Sequence, residues 1–549
     1  MKKTYFSLLV FSLFLSLSND LSAQQKPDTL MYHPVQTDKN GMIIPWYDAE
    51  PGRAYDHILK LVWQYWQNMP ECLPGIKWYL MHRQVIVSNS NFIPKGGHDD
   101  GIGGDQIAMA MSSWRNYYAY TGDTALIKDM VYMADHYLKN GLSPADYKWP
   151  EMPFVCNPGR DHNIRYQGDW VVDFALYKSK AEKAAHKELM EKGDGYMQPD
   201  KAGSFAYEMV MLFKITGSEK YLNAAAKIAN TLAKFTKPGN KENSPLPFRV
   251  QAKTGNIYPQ TDYVTSTYTS NWTATIMLFD ELIALKRGNT ASYSKARDVF
   301  IDFLKNIVVK YDLYGPFFED IPMWSNTQIN AGTLARYILL QKEKWGSTWR
   351  ADARHILDWA TKSFRHDKWI KYGVTVIGEQ TVYNSPGNSH TARQAAAELL
   401  YCGTTGDMAN RDSAIRQLNW ATYMVDTDGK NCYPNNEVWL TDGYGDYVRH
   451  YLWAMAAIPA LAPSDADHMV KTSSVVQSIS YGHEAISYKI FDKASQEIFR
   501  LIDKPSKITV NGKLLKEKMK GEGWQWQPLD KGGILTINQK QGNLIKIVK

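Results

Sequence analysis

The chain is predicted to be mainly α: a closed (α/α)6-7 toroid of six or seven helical hairpins, with a small antiparallel β domain at its C-terminal end. Three observations predict this. A helix, a Gly-containing turn and a second helix recur as one phrase, the texture changes to short β-prone runs after Pro463, and some helices are unusually rich in small apolar residues. The phrase reads TGDTALIKDMVYMADHYL after Tyr120, TGSEKYLNAAAKIANTLAKF after Ile215, RGNTASYSKARDVFIDFLKN after Lys286, WGSTWRADARHILDWATKSF after Lys344 and TGDMANRDSAIRQLNWATYM after Thr404. In each copy the Gly can adopt the left-handed conformation that ends one helix. The Ser, Thr, Asp or Asn beside it can cap the next. Copies lie roughly 60 to 95 residues apart, longer than common solenoid periods, which leaves room for long loops on one rim.

Taken in order, the first 23 residues read as a secretory signal peptide. Met1-Lys2-Lys3 is the positive start, Tyr5 to Leu17 the apolar run, and Leu21-Ser22-Ala23 the small-residue cleavage site before Gln24. The expected location is periplasmic or secreted. No later apolar run reaches the roughly 18 to 20 residues that span a bilayer, so no membrane association is expected after cleavage. Apolar periodicity then places helices near 54–67, 105–120, 124–139, 168–190, 202–216, 219–235, 269–286, 291–310, 328–342, 348–364, 389–405, 411–425 and 443–460. The helix carrying Ala392, Ala395, Ala396 and Ala397 is apolar enough for an inner position. Residues 24–463 form the toroid. Residues 464–549 form the β domain, with period-two runs such as AISYKIF and LIKIVK and the Asn511-Gly512 hairpin signal. At about 80 residues this β domain buries its faces most easily against a neighbour, so it is expected to buttress the toroid.

Composition narrows the function. The chain has 549 residues and a formal net charge of +7, without the concentrated Lys/Arg stripe of a nucleic-acid binder. A mild positive excess suits an acidic oligo- or polysaccharide. The four cysteines lack a CxxC pair, and Cys402 with Cys432 are the pair that could flank neighbouring hairpins as a disulfide. Loop aromatics offer flat apolar faces for sugar rings: Trp149, Tyr263, Trp324, Tyr383, Tyr433 and Trp439, with Trp170 at a helix start.

Four polar segments concentrate chemistry. Gly96 to Gln106 holds His98, Asp99, Asp100 and Asp105 in a glycine loop ahead of a helix; it lacks the Glu of a calcium loop, and no metal or cofactor is expected. Cys156 to Tyr166 carries Asn157, Arg160 and His162, a donor-rich patch whose guanidinium forks suit a carboxylate. Tyr383 to Arg393 runs into an inner helix with Asn388 and His390 at its start; a helix N-terminus lowers an imidazole pKa and keeps His390 neutral, as a general base requires. Thr441 to Tyr451 opens the last inner helix with Tyr444, Asp446 and Arg449. A closed ring brings that helix beside the first inner helix. Glu319 and Glu379 add carboxylates on similar loops. Packing, capping and solvated charge are the structural alternatives for each segment.

On these residues the chain resembles the toroidal, six-hairpin class of carbohydrate-active enzymes exported by Bacteroidetes. His390 followed by Tyr444, with Asn388 and Arg449 beside them, is similar to the His, Tyr and Asn-or-Arg set of toroidal polysaccharide lyases, though an adjacent Asn-His pair is lacking. The resemblance implies a lyase that cleaves uronate glycans by β-elimination. From the loops themselves, Asp105 and Asp446 are further candidate catalytic groups, and Trp324 and Trp439 candidate sugar contacts. Two alternatives stay open. One is a glycoside hydrolase of the same fold, an unsaturated glucuronyl hydrolase or exo-glucuronidase using paired carboxylates; the other is a non-catalytic glycan-binding protein.

Overall fold

The computed structural model describes residues 28–69, 71–73, 76–77, 85–88, 91–94, 103–154, 196–257, 265–317, 323–434, 444–518 and 520–549. Twelve long helices among them are α1 (Pro51–Asn68), α2 (Gly103–Thr121), α3 (Ala125–Asn140), α4 (Pro199–Thr216), α5 (Glu219–Phe235), α6 (Thr273–Ala284), α7 (Thr290–Phe303), α8 (Gln328–Leu340), α9 (Trp349–Phe364), α10 (Asn388–Thr405), α11 (Arg411–Thr422) and α12 (Tyr444–Ala457). The predicted helix over 168–190 lies outside the described residues. No described helix is long and apolar enough to cross a membrane.

Even-numbered helices form an inner ring. Contacts run from α2 to α4, α6, α8, α10 and α12, and α12 packs back on α2, so the ring closes at six. Odd-numbered helices pack outside it: α3 on α2, α5 on α4, α7 on α6, α9 on α8, α11 on α10 and α1 on α12. The sequence difference between the two sets follows from surroundings. Inner α10 is buried without a break from Asn388 to Cys402, whereas outer α5 buries one stripe, Tyr221, Leu222, Ala225, Ala226, Ile228, Ala229, Thr231 and Leu232, and exposes Lys220, Asn223, Lys227, Asn230 and Lys234. Trp114 of α2 is fully buried between Trp63 and Trp66 of α1, at ring-centroid distances of 4.8 and 5.4 Å.

The repeated phrase does what its residues suggest. Gly122, Gly217, Gly288, Gly346 and Gly406 all have positive φ, from 71° to 91°. In three copies the preceding Thr clasps the turn. Thr121, Thr216 and Thr405 donate to the carbonyl four residues back, at 2.9, 2.8 and 2.7 Å, and accept from the N–H two residues on, at 3.1, 3.2 and 3.1 Å. Side-chain capping of the next helix is rarer than the phrase suggests. Asp123 accepts from the Ala125 N–H at 2.9 Å and Asn289 from the Ser292 N–H at 3.2 Å, but Ser218 and Thr348 make no such bond.

Ring closure depends on a close approach. A Cβ on Gly445 of α12 would lie 2.6 Å from the Ala110 backbone of α2, and Ser113 donates to the Gly445 carbonyl across the same seam. The Cys402–Cys432 disulfide is not formed. Cys402 sits near the C-terminal end of α10, while Cys432 follows Asn431, which bonds Asn388 at the opposite end. Fourteen residues of helix separate the two by about 21 Å, beyond any disulfide.

After Ala457 the chain passes through a turn at Pro459–Leu461 into nine strands: β1 (His468–Thr472), β2 (Val476–Tyr481), β3 (Ala485–Ile490), β4 (Ser495–Leu501), β5 (Lys507–Val510), β6 (Lys513–Leu515), β7 (Gly523–Pro528), β8 (Gly533–Gln539) and β9 (Leu544–Val548). They make two antiparallel sheets, β1-β4-β8-β7 and β2-β3-β9-β5-β6. Alternation sets the core: Ile486, Tyr488 and Ile490 of β3 point inward, as do Leu535 and Ile537 of β8 and Ile545 and Ile547 of β9. Asn511 and Gly512 turn β5 into β6 with φ of 48° and 78°, and Val510 pairs with Lys513, the expected two-residue hairpin.

The β domain docks on the C-terminal ends of α2 and α4. Tyr481 Oη donates to the Ala119 carbonyl at 2.6 Å, His468 Nδ1–H to the Tyr120 carbonyl at 2.9 Å, and Gln477 Nε2 to the Lys214 carbonyl at 2.9 Å. The His468 ring also stacks on Tyr120, centroids 3.7 Å apart. The last carbonyls of a helix lack intrahelical partners, and these side chains supply them.

Candidate active site

All six inner helices start on the same side of the ring, opposite the β domain, and their first turns carry the polar residues. Gly387 precedes α10 and packs directly under His390: a Cβ there would lie 2.2 Å from His390 Cδ2. His390 is buried. Arg393 Nη1 donates to His390 Nδ1 at 3.1 Å and to Gln328 Oε1 of α8 at 2.6 Å. A guanidinium only donates, so Nδ1 is the unprotonated nitrogen and Nε2 carries the hydrogen. His390 Nε2 faces the Tyr433 hydroxyl at 3.4 Å.

The other nitrogen of the Arg393 fork pairs with Asp446 Oδ2 in the first turn of α12. Arg449 Nε donates to Asp446 Oδ1 at 2.9 Å, and His450 Nε2 lies 3.2 Å from the same oxygen. Burial is the largest influence on Asp446 and opposes ionisation. Arg393 and Arg449 outweigh it and hold the carboxyl well below its ordinary 3.8. Asp446 is therefore an anion that anchors two guanidinium groups. His390 is held well below its ordinary 6.5, first by burial and then by Arg393, so the expected neutral imidazole is present with a different cause from the helix terminus. Burial pushes His450 down to about 3. The cluster of Arg393, Arg449 and Asp446 carries one net positive charge.

Of the other sequence candidates, Asn388 is fully buried at the start of α10 and donates to Asn431, while its Oδ1 has no partner among the described residues. Glu379 is buried in the preceding loop, where its carbonyl accepts the Gln328 N–H at 3.0 Å. Trp324 is 38% exposed on the loop into α8 and tilts against Tyr268, centroids 5.0 Å apart; Tyr383 is 42% exposed. Trp149 is not a platform: it is buried and stacked on Phe235 at 4.4 Å, as core. Asp105 and Tyr444 lie in the first turns of α2 and α12, with side chains outside the described set. His98, Asp99, Asp100, Asn157, Arg160, His162, Trp170, Tyr263, Glu319 and Trp439 lie outside the described residues.

The ring adds groups not singled out from sequence as site residues: Arg393, Gln328 and, in the first turn of α4, Asp200 and Lys201. Asp200 is fully buried, accepts from Asn271 Nδ2 at 2.9 Å and pairs with Lys201 at 3.2 Å. The signal for them was a charge or amide within an otherwise apolar inner helix, legible once inner and outer helices are told apart. Among the described residues, no group of three or more His, Cys, Asp or Glu side chains is placed to hold a metal ion.

No protein-family model matches the chain, and no curated protein matches it. It is similar to solved structures at low identity. A cellobiose 2-epimerase from Spirochaeta thermophila aligns with a TM-score of 0.47 and 11% identity over 65% of this chain and 86% of its own. A family 76 glycoside hydrolase (mannosidase) from Bacteroides thetaiotaomicron aligns with a TM-score of 0.46 and 11% identity over 74% of this chain and 98% of its own. An unsaturated glucuronyl hydrolase specific for heparin aligns with a TM-score of 0.41 and 11% identity over 76% of this chain and 100% of its own. The six-hairpin toroid itself stands on the closed ring of helix contacts within this chain.

Proposed function

We propose that this protein is an exported carbohydrate-active enzyme that cleaves a uronate-containing glycan by β-elimination. The observation that carries the reading is the His390 cluster. A neutral imidazole whose Nε2–H faces the Tyr433 hydroxyl sits beside a cationic Arg393–Asp446–Arg449 set at the mouth of the toroid. Exposed Trp324 and Tyr383 on loops at the same mouth add flat faces for sugar rings.

The chemistry requires these types. The C5 proton of a uronate becomes removable when fixed cationic donors stabilise the charge developing on its carboxylate, a role that suits the net positive cluster. The C5–H pair forms the C4–C5 double bond, the C4–O bond breaks, and the departing oxygen takes a proton. Because Arg393 occupies Nδ1, His390 serves Tyr433 as a hydrogen-bond donor that favours its phenolate. Tyr433 then takes the C5 proton and passes it to the leaving oxygen.

The test incubates purified protein with a panel of uronate polysaccharides and follows the absorbance of the conjugated unsaturated uronate. That absorbance should rise, and Tyr433→Phe and His390→Ala should each lower the rate by about 100-fold or more. Reducing ends without that absorbance would replace elimination with hydrolysis. The observation that favours this second reading is Asp200, a buried carboxylate of the same ring whose Oδ1 has no partner among the described residues. Binding without product would make the protein a glycan binder. Export through residues 1–23 is tested by N-terminal sequencing of the protein recovered outside the cytoplasm, which should begin at Gln24.

A further inference from the structure

A cavity of about 350 Å³ runs along the axis of the toroid, from Lys201, Asn271 and Phe317 at the helix starts to Met469–Thr472 of β1, which floors it. Its charges do not balance. Among the described residues five cations line it, Arg115, Lys201, Arg336, Arg449 and Lys471, against the one carboxylate of Glu208. Three of the five have acidic partners: Arg115 pairs with Glu208 at 3.2 Å, Lys201 with Asp200, and Arg449 with Asp446. Arg336 and Lys471 have no carboxylate partner among the described residues.

Arg336 lies two turns into α8, about 12 Å deeper than Gln328, and its guanidinium stacks on the Trp453 ring of α12 at 3.8 Å. Burial, then Arg449 and Arg115, push it down to about 9, which leaves it charged at neutral pH. Lys471 enters from β1 with its side chain exposed, and partial desolvation followed by Arg336 lowers its pKa. Arg336 is half-buried and Lys471 exposed, so two like charges face one chamber with no carboxylate between them among the described residues, and they repel each other. The stacking on Trp453 holds one planar guanidinium face and leaves the in-plane N–H fork for a ligand, the geometry that suits an oxyanion. The Lys471 ammonium supplies a second charge from the β domain.

We propose that the axial chamber is an oxyanion site, in which a sulfate-, phosphate- or carboxylate-class group is held between Arg336 and Lys471 with Trp453 behind the guanidinium. The site borders the His390 cluster, since Arg449 lines the same chamber and lies over the same Trp453 ring at 5.1 Å, but it does not rest on β-elimination. Because one cation comes from α8 and the other from β1, the bound anion also ties the β domain to the toroid. The oxyanion has two sources, a free inorganic ion or the acidic group of a glycan end entering from the mouth.

The test uses the full chain and measures thermal unfolding and tryptophan fluorescence during titration. One arm uses sodium sulfate or phosphate against sodium chloride at matched ionic strength. The other uses glucuronic acid and a sulfated disaccharide against their neutral counterparts. Saturable stabilisation beyond the ionic-strength control is expected in at least one arm, and the arm that responds identifies the source. Arg336→Met and Lys471→Met should each weaken binding by about tenfold or more. In low salt without oxyanion, Arg336→Met should melt at or above the parent temperature, since it removes an unbalanced charge. An effect that chloride reproduces, or that both variants retain unchanged, overturns the proposal. If Arg336→Met fails to fold, Lys471→Met, on a strand outside the ring, decides it alone.

Discussion

Arg393 contacts three functional groups at once: the His390 imidazole, the Gln328 amide and the Asp446 carboxylate. Removing one partner of a buried ion pair leaves the other charge unsolvated. Asp446→Asn strands Arg393 and Arg449 together and should cost about 3–5 kcal/mol in denaturant unfolding. A loss under about 1 kcal/mol would show that the triad is solvated. Acid sensitivity follows from the same cluster. His390 and His450 titrate below 6.5 in the fold, His450 at about 3. As pH drops through 6.5 the unfolded chain takes up protons that the native state refuses, so stability falls from there downward. Asp446, held below 3.8, adds stability that is lost at still lower pH. The melting temperature should therefore decline below about pH 6.5, and His450→Asn should flatten the slope; an unchanged slope excludes His450 as its source. The sequence identified His390, Asn388, Asp446 and Arg449 as a polar start to two inner helices. It did not reveal that Arg393 joins them, because that contact spans 53 residues to Asp446 and 65 to Gln328.

At the scale of helices and turns, glycines act in two physically different ways. Gly406 has a φ of 76°, and nothing lies within 4 Å of the point where a Cβ would stand, so Gly406→Ala should cost about 1–2 kcal/mol of backbone strain alone. Gly445 sits against the Ala110 backbone at the seam that closes the ring. Gly445→Val should therefore destabilise by about 3 kcal/mol or more, with the loss visible as broadened calorimetric unfolding. Equal losses at the two positions would contradict this division. The Thr-Gly turn was readable because its chemistry is local, a hydroxyl and a left-handed residue within six positions. The capping role expected beside the Gly was realised at Asp123 and Asn289 but not at Ser218 or Thr348, whose side chains accept no backbone N–H of the next helix. Trp149 failed as a sugar platform because a loop position says nothing of whether Phe235 covers it.

For the whole molecule, the two ends of the ring divide the work. Helix starts gather at the mouth with His390, Arg393 and Asp446, while helix ends are covered by the β domain, whose Tyr481, His468 and Gln477 bond the last carbonyls of α2 and α4. Tyr481→Phe leaves the Ala119 carbonyl and the Met469 N–H without that hydroxyl, and should lower stability by about 1–3 kcal/mol while leaving the mouth intact. A variant that loses substrate binding without losing stability would instead place Tyr481 at the site. Helical hairpins, their turns, the change from helices to strands after Pro463 and the Asn511-Gly512 hairpin were determined by the sequence alone, because each depends on periodicity or backbone chemistry within a few residues. Only the tertiary structure decided that six inner helices close through Gly445, that Cys402 and Cys432 lie at opposite ends of α10, and that Arg336 and Lys471 meet in one chamber. Those outcomes depend on which distant segments share a face, and charge or packing between segments hundreds of residues apart has no local periodicity to reveal it.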